Sequence, residues 1–146
     1  MQVLVDADAC PVKELIVREA RRFGISVIML TDTSHELGDG YSRILTVDKG
    51  KDSVDIMLAN LVRPGDIVVT QDYGVAAMAL GYGAKALNQN GLVFTEENID
   101  RLLFERYLSQ RLRRAGGKAG KVRKRSKSDD EEFVRSLLVL LDGGNN

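Results

Sequence analysis

Five short apolar runs limit the possible folds more than anything else in this chain. They occupy residues 3–5, 26–30, 44–47, 67–70 and 84–87, and stretches of helical spacing or polar loop separate them. Pro11 suits the first turn of a helix, where its missing N–H costs nothing, and Val12, Leu15, Ile16 and Ala20 carry the helical spacing to a stop at Gly24. Val54, Met57, Leu58 and Leu61 mark a second helix that the run RPGD ends, and residues 75–80 a third, closed by Gly81 and Gly83. Strands alternating with helices predict βαβ units around a parallel sheet. The fold class is therefore α/β, a three-layer sandwich with a central, mostly parallel sheet of about five strands, followed by C-terminal helices.

Beyond the fifth run, NQNG reads as a turn, and Thr95 ahead of Glu97 and Asn98 as a helix cap. Ile99, Leu102, Leu103, Tyr107 and Leu112 give the apolar face expected of a long amphipathic helix. Residues 115–128 read as a flexible basic loop. Residues 129–142, preceded by serine and opened by acids that favour a helix N-terminus, read as a final helix.

The 146 residues, 44% hydrophobic and 29% charged, suit one globular domain over 1–146 and argue against disorder. There is no apolar run of membrane-spanning length and no basic segment leading into an apolar one, so no membrane association and a cytoplasmic location are expected. One cysteine, Cys10, and one histidine, His35, exclude an internal disulfide and a Cys/His zinc cluster. Any metal would be held by oxygen. The net charge of zero hides a division: residues 1–110 carry 11 Lys/Arg against 16 Asp/Glu, whereas residues 111–127 carry nine basic residues and no acid.

Asp6, Asp32, Asp48 and Asp72 each follow one of the first four strands. Ligands of open parallel sheets bind at the carboxyl ends of the strands. Asp8 lies beside Asp6, while Asp52 and Asp55 share a face at the start of a helix that a right-handed crossover begins on the same side. Converging carboxylates repel one another unless a cation lies between them, and Mg²⁺ or Mn²⁺ bound by carboxylates and water is the usual solution. Such an ion polarises phosphoryl oxygens and activates water, so phosphodiester hydrolysis is the chemistry that follows.

The runs VDADACPV, KGKDSVD, PGDIVVTQD, GYGAKALNQNG and TEENID closely resemble the YaiI/YqxD family of uncharacterised bacterial proteins over nearly the whole chain. That family is similar to the PIN-like superfamily, which includes the NYN nucleases. The resemblance implies a PIN-like domain whose metal-binding acids are Asp6, Asp8, Asp52, Asp55 and Asp72, with Asp6, Asp55 and Asp72 catalytic. It implies RNA or another nucleic acid as partner. Where many PIN nucleases carry a further acid after the fourth strand, DYGVAAMAL offers only Tyr73, and the C-terminal glycine-rich loop lacks the family's proline.

Each candidate also has a plainer role. Asp72 is a metal ligand, a helix cap, or both; Asp32 and Asp48 sit where Asp often serves turns. One of Thr70 and Gln71 should face the pocket, Asn88 lines the same edge or makes the turn with Gly91, and Lys49 and Lys51 hold phosphate or offset the acids. Arg123, Lys124 and Arg125 contact phosphate or pair with the acids at 129–132; the segment has no aromatic residue for base stacking. Cys10 reads as a small buried residue or as a thiol made reactive by a helix N-terminus, and His35 as a solvated residue. Besides a metal-dependent phosphodiesterase, two further functions fit: a non-catalytic RNA-binding module that uses the basic loop, and a haloacid dehalogenase-like phosphatase with Asp6 as nucleophile. The last would need a later acidic pair, and Gly65–Asp66 precedes its strand, on the wrong edge of the sheet.

Overall fold

Gln2–Asp6 form the first strand, β1, at the centre of a six-stranded sheet. The computed structural model describes residues 1–32, 38–47, 54–116 and 123–143. Along the chain follow α1 (Lys13–Arg22), β2 (Ser26–Thr31), β3 (Arg43–Thr46), α2 (Val54–Leu61), β4 (Ile67–Val69) and α3 (Tyr73–Gly81). β5 (Lys85–Leu87), β6 (Val93–Phe94), α4 (Glu96–Arg114) and α5 (Lys127–Leu141) complete it.

The strand order is β3-β2-β1-β4-β5-β6. All pairs are parallel except β5 with β6, in which Leu87 faces Val93. The α/β class and the mostly parallel sheet are as the sequence predicts; the sixth strand is additional. It is two residues long, too short for a periodic signal, and exists because the turn after β5 folds it back.

Alternation along the strands divides the core into two layers. Val3, Val5, Met29 and Val69 face α1 and α5, packing with Ile16, Ala20, Phe133 and Leu137. Leu4, Ile28, Leu30 and Val68 face the other way, onto Leu58, Val75, Ala79 and Ile99 of α2, α3 and α4. β1, β2 and β4 are thus buried on both faces, which is why they read as continuous apolar runs.

The turn NQNG docks the C-terminal helix. Asn88 Oδ1 accepts the backbone N–H groups of Asn90 (2.9 Å) and Leu92 (3.0 Å). Gly91 has φ +86°, and a Cβ there would stand 2.6 Å from the Glu132 carbonyl oxygen, so only glycine admits α5 this closely. Ser136 Oγ donates to the Gly91 carbonyl at 2.6 Å. The helix is capped by Ser126 rather than Ser128, because the Asp129 carboxylate reaches back to the Ser126 N–H at 2.9 Å. Among the described residues no helix is long and apolar enough to cross a membrane.

Candidate functional site

Because β2 and β3 lie on one side of β1 and β4 and β5 on the other, the strand order reverses between β1 and β4. At such a switch point the adjacent loops leave in opposite directions and open a crevice at the carboxyl ends of the strands. Asp6 ends β1 there, and Thr70, Gln71 and Asp72 follow β4. A groove of about 610 Å³ lies over this point, lined by Asp6, Gln71, Asp72, Tyr73, Leu102, Glu105, Arg106, Ser109 and Arg113.

Thr70 ties the two strand ends together. Its buried hydroxyl donates to Asp6 Oδ2 at 3.2 Å and accepts the Asp72 N–H at 3.0 Å. Gln71, exposed, lines the groove itself, so both residues belong to the site in different ways. Asp72 caps α3: its Oδ1 accepts the N–H groups of Gly74 (2.8 Å) and Val75 (3.2 Å). The cap uses one oxygen, and the same residue lines the groove.

Asp6 is held in an unfavourable state. Burial pushes its pKa up, and the negative charges of Asp8, Asp72 and Asp32 add to this, against the Thr70 hydroxyl. Asp8 is the opposite case. Thr31 Oγ1 donates to one of its oxygens at 2.6 Å and the Asp32 N–H to the other at 2.8 Å. Burial raises the pKa of Asp8, but these bonds outweigh it and the net shift is downward. Asp8 therefore braces the end of β2 with both oxygens. Between Asp8 and Cys10, Ala9 adopts φ +57°, a left-handed conformation costly for a residue with a Cβ. Cys10 is buried and burial raises its pKa, so it has the character of a packing residue.

Other candidates fall elsewhere. Asp55 is exposed in the first turn of α2 and does not line the groove. Asp48, Lys49, Lys51, Asp52 and His35 lie outside the described residues. Asn88 spends its side chain on the turn. Arg123 pairs with Asp129 at 2.7 Å, and Arg125 with Asp130, the Asn90 side chain and the Gln89 carbonyl. These arginines thus have the acidic partners that were one of their two expected roles; Lys124 between them is exposed. The Arg123 guanidinium and the Ser126 N–H together hold Asp129 at a pKa of about 2. Asp66 is buried at the amino end of β4, bonded to Gln2 and Arg63 and far along the sheet from Asp6.

Sequence reasoning missed the wall contributed by α4. Leu102, Arg106, Ser109 and Arg113 recur at intervals of four, three and four, which places them on one helix face, turned to the groove. Arg106 lies 6.0 Å from the Tyr73 ring centroid, and Tyr73 meets Phe94 edge-on at 5.7 Å. The spacing was visible in the sequence, but nothing in it said that this face would meet the acids.

A family model described as "Uncharacterized BCR, YaiI/YqxD family" matches residues 4–143. The chain belongs to the YaiI/YqxD family. The family's "UPF0178 protein" of Ruminiclostridium cellulolyticum is 66% identical over 141 residues, covering 97% of this chain and 92% of its own. That of Alkaliphilus oremlandii is 51% identical over 142 residues with the same coverage, and that of Clostridium kluyveri 49% over 144, covering 99% and 95%. No solved structure gives a significant match. YaiI/YqxD membership thus fixes the kinship of the chain without naming a reaction.

Proposed function

We propose that the protein is a divalent-metal-dependent phosphodiesterase acting on nucleic acid. The observation that carries this reading is the convergence of Asp6 and Asp72 at the sheet's switch point, in a groove whose opposite wall offers Arg106 and Arg113. Acids alone would suit a cation; acids facing arginines suit a cation together with a phosphate.

The all-oxygen donor set fits a hard ion, and Mg²⁺ is ordinarily held by one or two carboxylates, with water and substrate phosphate completing its shell. Asp6 and Asp72 are sufficient for that. Such an ion, when bound, neutralises charge, polarises a phosphoryl oxygen and acidifies a water. The chain's own groups do the rest. Thr70 fixes the Asp6 carboxylate and the Asp72 backbone relative to each other, Arg106 and Arg113 attract and orient the phosphodiester, and Gln71 offers an amide to phosphate or water. Asp52 would extend the acidic set, as the family resemblance implies.

The test is cleavage of end-labelled single-stranded RNA with Mn²⁺, Mg²⁺ or EDTA. Metal-dependent cleavage that falls at least about 100-fold in Asp72→Asn supports the reading, since asparagine keeps a capping oxygen but not the charge. Equal cleavage by the variant contradicts it. One observation favours a non-catalytic RNA-binding module instead: after Asp72 the chain offers Tyr73 where many PIN nucleases carry a further acid. That module would bind RNA in a salt-sensitive way and keep its affinity when Asp6 and Asp72 are replaced.

A further inference from the structure

Beyond its first two turns, α4 buries none of its side chains, and only its inner face borders the groove. Ile99 is its one buried residue among those described, and residues 104–116 are all exposed. Phe104, Tyr107, Leu108 and Leu112 lie along the outer face, 59%, 51%, 44% and 65% exposed. Such a row of large apolar side chains on an exposed helix is unusual on a soluble surface and marks a binding face. The rings of Phe104 and Tyr107 are stacked, 6.5 Å apart and inclined by 30°. The Arg111 guanidinium lies 5.9 Å from the Tyr107 ring centroid and donates to its hydroxyl at 3.1 Å. Beside them a depression is lined by Tyr107, Arg111, Arg114 and Ala115.

Charge selects the occupant. Over residues 104–116 the helix carries Arg106, Arg111, Arg113 and Arg114 against Glu105 alone. A second copy laid along it would set arginines against arginines, whereas a polyanion would be drawn in. Aromatic faces among arginines are what single-stranded nucleic acid uses, because each unpaired base presents a face for stacking while its phosphate meets a cation. A duplex keeps those faces covered.

We propose that the exposed half of α4 is a platform for single-stranded nucleic acid, with bases stacking on Phe104 and Tyr107 and phosphates meeting Arg111 and Arg114. Arg106 and Arg113, on the other face of the same helix, continue the positive path into the groove of Asp6 and Asp72. The platform rests on the nucleic-acid reading of that groove and narrows it to single strands.

The experiment is fluorescence anisotropy in EDTA, with a labelled RNA of about 12 nucleotides offered single-stranded or as a duplex. The wild type is expected to prefer the single strand at least about tenfold, and Phe104→Ala/Tyr107→Ala to lose about 10-fold or more of that affinity. Phe104→Tyr/Tyr107→Phe, which keeps both aromatic faces, should stay within about threefold of wild type. This pattern without cleavage by any metal would refute the phosphodiesterase and leave the platform standing. Metal-dependent cleavage with unaltered binding by the double alanine variant would refute the platform alone. No RNA binding by the wild type, or a dimer in sedimentation that only the alanine variant breaks, would also overturn the platform, the latter in favour of a second copy.

Discussion

Asp6 and Asp66 sit at opposite ends of the central strands and have opposite surroundings. Asp66 is buried and accepts from the Gln2 N–H at 3.2 Å, the Gln2 side chain at 3.0 Å and the Arg63 N–H at 2.9 Å. Asp6 accepts from the Thr70 hydroxyl and faces the charges of Asp8, Asp72 and Asp32. The first carboxylate staples the start of β1 to the turn before β4. The second is a charge that the fold supports at a cost, at the switch point where open parallel sheets bind ligands. Identical side chains, one strand length apart, are assigned different roles by their hydrogen-bond donors.

Replacing each in turn sharpens the contrast. Asp66→Ala takes the acceptor from two partly buried backbone N–H groups and from the Gln2 side chain and should lower stability by about 1–3 kcal/mol, read as a reduced midpoint in urea at unchanged slope. Asp6→Asn should act the other way in metal-free buffer, raising stability by about 0.5–1 kcal/mol, because it removes a partly buried like charge and keeps an acceptor for Thr70. A loss of stability in Asp6→Asn comparable to that in Asp66→Ala would erase the distinction.

A third acid gives a smaller, pH-dependent effect. Asp129 has its pKa depressed to about 2 by Arg123 and the Ser126 N–H, so its folded-state value lies below the ordinary 3.8. Its contribution is present in full above pH 4 and is lost as the pH falls towards 2. Comparing Asp129→Asn with wild type by urea unfolding at several pH values should give a gap that closes over that window. A gap that stays constant would mean that the charge of Asp129 contributes nothing.

The strands were legible because central parallel strands are apolar on both faces, and the acids of the site because strand ends in such a sheet define an edge. Asp6, Thr70, Gln71 and Asp72 meet there as their positions implied. Three things were not legible. β6 is too short to show a period. The apolar spacing of α4 reads as a core face, but Tyr107 and Leu112 are exposed, since the helix outruns the layer that it packs on. Arg106 and Arg113 carry no motif; only the angle of α4 over the sheet turns them to the groove. The capping serine of α5 was misplaced by two residues because both Ser126 and Ser128 precede acids, and the choice between them depends on how Arg123 anchors Asp129.

Calorimetric titration of Mn²⁺ into the wild type, Asp6→Asn and Asp66→Ala decides whether the charge at the carboxyl edge is held for a metal. A saturable heat in the wild type and in folded Asp66→Ala, absent in Asp6→Asn, is the result expected of a metal site built on Asp6. Equal Mn²⁺ binding by Asp6→Asn and wild type would contradict it.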